Sequence, residues 1–168
     1  TTSIIDGKIT ATVEANTAVI LAAAINKGDG KDALNINVVE DVTGIVVTPT
    51  DAEDLVALDG QTSLKVKVDA TQITGTYANV EHVYVSGKAG FSNLGNETVT
   101  IINNPVVTNA AADIDKILAA TTGVVTAEVT DTAANLNALL KDAKATDKLT
   151  LTLDTTDPVA ASDLKALD

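Results

Sequence analysis

Short strand patterns alternating with helix patterns predict an α/β fold: a repeat, solenoid-like array of strand–helix units with mostly parallel strands. Two small α/β lobes are the alternative. Three observations carry this expectation. Apolar residues alternate at period two in runs such as Val125-Ala127-Val129 and Leu149-Leu151-Leu153, as half-buried strands require. Between such runs Ala and Leu recur at i, i+3 and i+4, the spacing of one helix face. The chain also restates itself: Leu136, Leu139, Leu140, Leu149, Leu151 and Leu153 repeat the separations of Leu21, Ala24, Ile25, Leu34, Ile36 and Val38. Internal self-similarity of this kind marks tandem or stacked architectures.

In chain order, Ile9-Ala11-Val13 predicts a strand, 17–26 a helix, and Leu34-Ile36-Val38 a strand. Ile45-Val46-Val47 ends at Pro49, which suits an edge or connecting strand because proline cannot donate to a ladder. A helix over 51–59 and a strand at Leu64-Val66-Val68 follow. From Ala70 to Pro105 the rhythm breaks. Gln72 to Tyr77 fits a short helical turn or a tight loop, Val80/Val83-Val85 fits a strand, and Gly87 to Asn96 is rich in turn residues. This stretch reads either as a unit whose helix has become a loop or as a soft boundary between lobes. Val99-Ile101 predicts a strand and Asn103-Asn104-Pro105 a loop. Helices over 110–120, 132–143 and 159–167 alternate with the strands at Val125-Ala127-Val129 and Leu149-Leu151-Leu153. The chain thus divides into a first set of units over 1–70, an irregular segment over 71–105, and a second set over 106–168. The last set ends within a helical pattern, as expected of a piece of a longer chain.

Asp51, Asn109 and Asp131 stand where N-caps are expected. Four helices share one phrase, a polar residue followed by two aliphatics three apart. They are Asp54-Leu55…Leu58, Asp113-Ile114…Ile117, Asn135-Leu136…Leu139 and Asp163-Leu164…Leu167. The aliphatic pair lies on one face, toward a sheet. The first unit keeps the spacing but has Ile20 in the polar position.

The composition narrows the function. With no Cys, Met, Trp or Arg and only Phe91, Tyr77 and Tyr84 as aromatics, the core is built from Val, Ile, Leu and Ala. A net charge of −12 repels phosphate backbones and anionic headgroups, and without Arg the usual bidentate phosphate and guanine reader is missing, so no nucleic-acid partner is expected. The longest apolar run, Ala18 to Ile25, is too short to cross a bilayer, so no membrane insertion is expected. Abundant Thr, Ala, Asp and Asn without Cys, Met or Arg resembles the composition of exported bacterial surface proteins.

No catalytic constellation is legible, and the chain is expected not to be an enzyme. His82 is the sole histidine, there is no Cys to pair with it, and no Ser occupies a nucleophile-elbow context. It reads as a surface or edge residue of a strand. A calcium loop counted from Asp29 would place its twelfth residue at Glu40, but Leu34, Ile36 and Val38 between them spell a strand, so that motif fails. Acidic residues at strand ends, Glu40 with Asp41, Asp69, Asp131, and Asp154 with Asp157, would line one edge of a parallel stack. Asp41, Asp69, Asp131, Asp154 and Asp157 are therefore candidate Ca²⁺ ligands, Ca²⁺ being the one cofactor considered. Helix capping and turn formation account for the same residues more simply. Thr10-Thr12, Thr98-Thr100 and Thr150-Thr152 fit the solvent face of strands, where Thr has high propensity, better than an ice-binding array.

Val129-Thr130-Asp131-Thr132-Ala133-Ala134-Asn135-Leu136, followed by Lys148-Leu149-Thr150-Leu151-Thr152-Leu153-Asp154, resembles the long repeats of bacterial S-layer-like proteins, large adhesins and RTX-type secreted proteins. The resemblance is good over 109–168, looser over 9–70 and poor over 71–105. It implies an extracellular or cell-surface structural role as an S-layer or matrix building block, export by a type I system, and calcium-dependent assembly. Neighbouring copies of the chain or adjacent domains would be its partners. An adhesin segment that binds a host, glycan or other surface ligand through loops such as 87–96 is the alternative. No family site residues carry over.

Overall fold

The computed structural model of the protein describes residues 8–26, 30–44, 46–102, 109–154 and 159–167. It is a mixed α/β structure in which every described strand pair but one is parallel. The chain opens with β1 (Thr10–Thr12), α1 (Ala18–Ala24), β2 (Ala33–Asn35) and β3 (Asn37–Val39). The exception to parallel pairing follows, an antiparallel hairpin of β4 (Asp41–Thr43) and β5 (Val46–Thr48). After it come β6 (Thr50–Asp51), α2 (Ala52–Asp59), β7 (Val66–Asp69) and β8 (Gln72–Thr76). Helix α3 (Tyr77–Glu81) continues into a π-turn over His82–Ser86, and a 3₁₀ turn over Lys88–Gly90 leads to β9 (Phe91–Ser92) and β10 (Thr98–Ile102). The chain ends with α4 (Ala111–Ala120), β11 (Val125–Asp131), α5 (Ala133–Leu139), β12 (Lys148–Leu153) and α6 (Ala161–Leu167).

The largest sheet has the order β12-β11-β10-β8-β6, so its strands lie side by side in the order in which the chain makes them. A second sheet, β3-β7-β9, and the pair β1-β2 follow the same rule. Each of β7 and β9 is followed after a short corner by a strand of the large sheet and then by a helix. The helices keep chain order too, each packing on the next from α1 to α6. A parallel neighbour needs a crossover, and here a helix supplies it each time.

Buried aliphatics from the helices and from the strands' inner faces form one connected core, including Leu55, Leu58, Ile73, Val99, Ile114, Ile117, Val125 and Leu136. Each such side chain contributes about 1.5–3 kcal/mol by leaving water. The aliphatic pair of the helical phrase is indeed what faces the core in α2 and α4. The structure adds a partner that the phrase omits, an alanine three residues before the first aliphatic. Ala18, Ala52, Ala111 and Ala133 are buried at the first helical position, where a larger side chain would hold the helix off the sheet. Gly75 of β8 shows how close the approach is: a Cβ there would stand 2.9 Å from the Cβ of Ala52.

Sequence patterning misjudged the middle of the chain. Val80 to Val85 is helical rather than extended, because Val80, Val83 and Tyr84 lie three and four apart and bury together on one helix face. β-propensity yields to burial of that kind. The unit therefore keeps its helix, and His82 sits on it instead of on a strand. Gln72 to Thr76 is an inner strand of the large sheet, between β6 and β10. Helix α5 ends at Leu139, short of residue 143. Ile45 and Asn103-Asn104-Pro105 lie outside the described residues.

Candidate functional site

The acidic candidates come to lie on different sheets. Asp41 begins the β4–β5 hairpin, Asp69 ends β7, and Asp131 ends β11. They fall into two groups on separate sheets: Asp69 stands in register with Val39, just before Glu40 and Asp41, while Asp131 stands in register with Leu153, just before Asp154. The Asp154 N–H donates to the Asp131 carbonyl at 2.9 Å. Asp157 lies outside the described residues, as does the Asp29 from which the calcium loop was counted. Among the described residues no group of three His, Asp or Glu side chains is placed to hold a metal ion together.

Two of these carboxylates tie elements that are distant in the chain. Asp131 Oδ1 accepts from the Thr132 N–H at 2.8 Å and from Asn135 Nδ2 at 2.7 Å, while Oδ2 accepts from the Ala111 N–H at 3.1 Å, at the start of the preceding helix. Desolvation opposes its charge, but the donors from Asn135, Thr132 and Ala111 outweigh it, and its pKa lies below the usual carboxylate value. The N-cap of α5 is Thr132, whose hydroxyl accepts from the Asn135 N–H. Asn109 likewise precedes the cap residue Ala110, and its Nδ2 donates to the Glu128 carbonyl. Only Asp51 caps in the expected position, accepting from the Glu53 N–H. Asp69 accepts from Lys67 and from Asn93 Nδ2, and the Lys67 ammonium is the main reason its carboxyl titrates low. Glu40, just after β3, accepts from the N–H and hydroxyl of Thr71, just after the neighbouring strand β7.

Two aspartates that sequence reasoning passed over make the same bond in different places. Asp32 Oδ1 accepts from the Ile9 N–H, and Asp147 Oδ1 from the Val125 N–H, both at 2.8 Å. Each stands just before the strand that pairs with the recipient's strand, and the registers agree: Thr10 faces Ala33 as Thr126 faces Lys148. Asp32 and Asp147 are also related by the spacing that relates Leu34 to Leu149. That shared spacing was the signal available in the sequence.

A buried carboxylate lies between β9 and β10. Glu97, 1% exposed, accepts at Oε2 from the Tyr84 hydroxyl (2.8 Å) and from the Gly95 and Asn96 N–H groups, while Oε1 has no partner among the described residues. Burial and then the Glu97 charge push the Tyr84 phenol far above its ordinary pKa. His82 Nε2 lies 3.3 Å from Asp59 Oδ2, joining α3 to the end of α2, and the Ser86 hydroxyl is engaged by Glu81. These contacts fasten the segment that the sequence left irregular.

Beside them lies a cleft of about 450 Å³ lined by Lys65, Lys88, Ala89, Phe91, Ser92, Asn93 and Leu94. On the outer side of the large sheet, Thr74, Thr100 and Thr126 stand in register on adjacent strands, interrupted in the next row by Ile102 and Glu128.

The edge of the large sheet at β12, with α6, differs from the interior of the fold. Leu151 is 40% exposed, whereas Ile36, its counterpart at the same spacing, is fully buried. Leu164 is 46% exposed, whereas Leu55 and Ile114 at the same place in the helical phrase are fully buried. No helix among the described residues is long and apolar enough to cross a membrane. No family model, curated protein or solved structure matches the chain.

Proposed function

We propose that the protein is a non-catalytic, solenoid-like repeat domain of an exported bacterial surface protein, an S-layer or extracellular-matrix building block that acts by self-assembly. The observation that carries this reading is the open end at β12 and α6, which leaves in solvent the leucines whose counterparts in α2, in α4 and between β2 and β3 are buried. The chain-ordered sheet and helices support a repeat architecture, in which each unit buries its apolar face only against a neighbour. An acidic, cysteine-free surface suits an exported protein. Negative-stain microscopy of the concentrated protein, with calcium and with chelator, tests it. Ordered filaments or sheets are expected, and a protein that stays monomeric in both conditions refutes the assembly role. A midpoint of unfolding that is the same in calcium and chelator removes Ca²⁺ from the proposal.

The cleft at Lys65 and Lys88 favours a second reading, an adhesin segment. Two lysines converge there on a surface that is otherwise strongly acidic, beside Phe91, Ser92 and Asn93. Binding of acidic glycans that is lost in Lys65→Ala/Lys88→Ala would support it; equal binding by the double variant would refute it.

A further inference from the structure

The two ends of the stack are open in complementary ways. At one end β12 pairs with β11 on one side and with no described strand on the other, while Leu151 and Leu164 remain exposed. At the other end β1 pairs with β2 and with no other strand among the described residues. Yet β1 is built like an interior strand: it shares with β11 the register to its following strand and an aspartate that receives an N–H at its start, from Ile9 just before β1 and from Val125 in β11. β11 has a further neighbour, β10, on the side where β1 has none among the described residues.

The first helix carries a second, independent mark. At the polar position of the helical phrase, Asp113 of α4, which accepts from Lys116 on its own helix, lies near enough to Tyr77 of α3 that, after burial, its charge helps raise the phenol's pKa. The α1 residue at that position is Ile20, 52% exposed, next to the exposed Val19. A helix with no unit before it would keep a polar residue there if that side faced water permanently. An aliphatic there fits a side that another unit covers.

We infer that a second copy of this chain docks head-to-tail, its β1–α1 end seated on the β12–α6 end of the first, with β1 extending the large sheet in parallel and Ile20 entering the interface with Leu151 and Leu164. The contact repeats the unit-to-unit packing inside the molecule, so its occupant is another unit of the same kind. Because the two surfaces differ, the contact is heterologous and propagates into a filament unless the rotation closes a ring. An unpaired strand edge supplies the hydrogen-bond template. This inference rests on the proposed self-assembly and specifies its interface.

The test uses the 168-residue chain with Ile20→Asp, which restores the polar residue of the other units, and Leu151→Lys. Both positions are exposed in the monomer, so circular dichroism and the denaturation midpoint serve as folding controls. In analytical ultracentrifugation the unsubstituted chain forms a concentration-dependent series of oligomers. Each variant alone associates roughly 100-fold more weakly, since a charge meets an apolar surface. An equimolar mixture of the two forms a 1:1 dimer and nothing larger, because each supplies the end that the other lacks. Ile20→Asp dimerising by itself overturns head-to-tail docking in favour of a symmetric contact. Filaments unaffected by either substitution overturn the interface but leave the assembly role standing. A chain monomeric at every concentration, with and without calcium, overturns both.

Discussion

Leu55 and Leu164 occupy the same place in the helical phrase, so truncating each to alanine isolates what the neighbouring unit contributes. Leu55 is fully buried between α1, α3 and the sheets, and Leu55→Ala removes its transfer free energy and leaves a cavity. Comparable core truncations cost about 2–5 kcal/mol. Leu164 keeps 46% of its surface in water, so roughly half of a leucine's transfer term is at stake and no closed cavity forms. Leu164→Ala therefore costs about 1 kcal/mol or less. Equilibrium urea denaturation, followed by circular dichroism on dilute protein, reads both as changes in midpoint at constant slope. Equal losses for the two variants would refute the claim that the β12–α6 end is open. A small loss for Leu55→Ala would refute the packing of α2 on the sheets. The comparison also yields a concentration dependence: where the end is covered by another copy, Leu164→Ala moves toward the interior value.

Three further outcomes are expected. Gly123→Ala lowers stability by about 2 kcal/mol or more, because the added Cβ would stand 2.0 Å from the Glu97 backbone carbonyl oxygen, which cannot swing aside as a side chain could; an unchanged midpoint in urea would refute the close approach. Acid weakens the fold. The folded pKa values of Asp69 and Asp131 are depressed, so their stabilisation is present above about pH 4 and is lost as pH falls through the folded values. Asp131→Asn should flatten that acid limb of a pH–stability profile, and an identical limb would count against the capping bonds. Tyr84→Phe removes the hydroxyl donor to the buried Glu97 carboxylate and costs about 1–3 kcal/mol at neutral pH. It also removes an alkaline limb: the folded phenol pKa is raised, so its stabilising contribution is present below about pH 10 and lost above it. Ultraviolet titration of an ordinary phenol at Tyr84 in the folded chain would contradict the burial.

The sequence by itself determined the class of structure and most of its elements. Period-two runs of β-branched and aliphatic residues became β1, β2, β3, β7, β10, β11 and β12, and the Ala/Leu spacing became five of the six described helices, because these periodicities follow from backbone geometry alone. The shared spacing from Leu21 to Val38 and from Leu136 to Leu153 was legible too, and with it Asp32 and Asp147 were within reach. The tertiary structure decided the rest. Val80, Val83 and Tyr84 satisfy strand propensity and helix spacing at once, and only the core they enter selects the helix. Gln72 to Thr76 looks like a turn until β6 and β10 flank it. Acidic residues that looked equivalent along the chain end on different sheets, because the corners between strands set their positions. Whether Leu151 and Leu164 lie in a core or in water is invisible in a pattern that writes them like Ile36 and Leu55: burial belongs to the neighbour on the far side, and the sequence of a unit does not contain its neighbour.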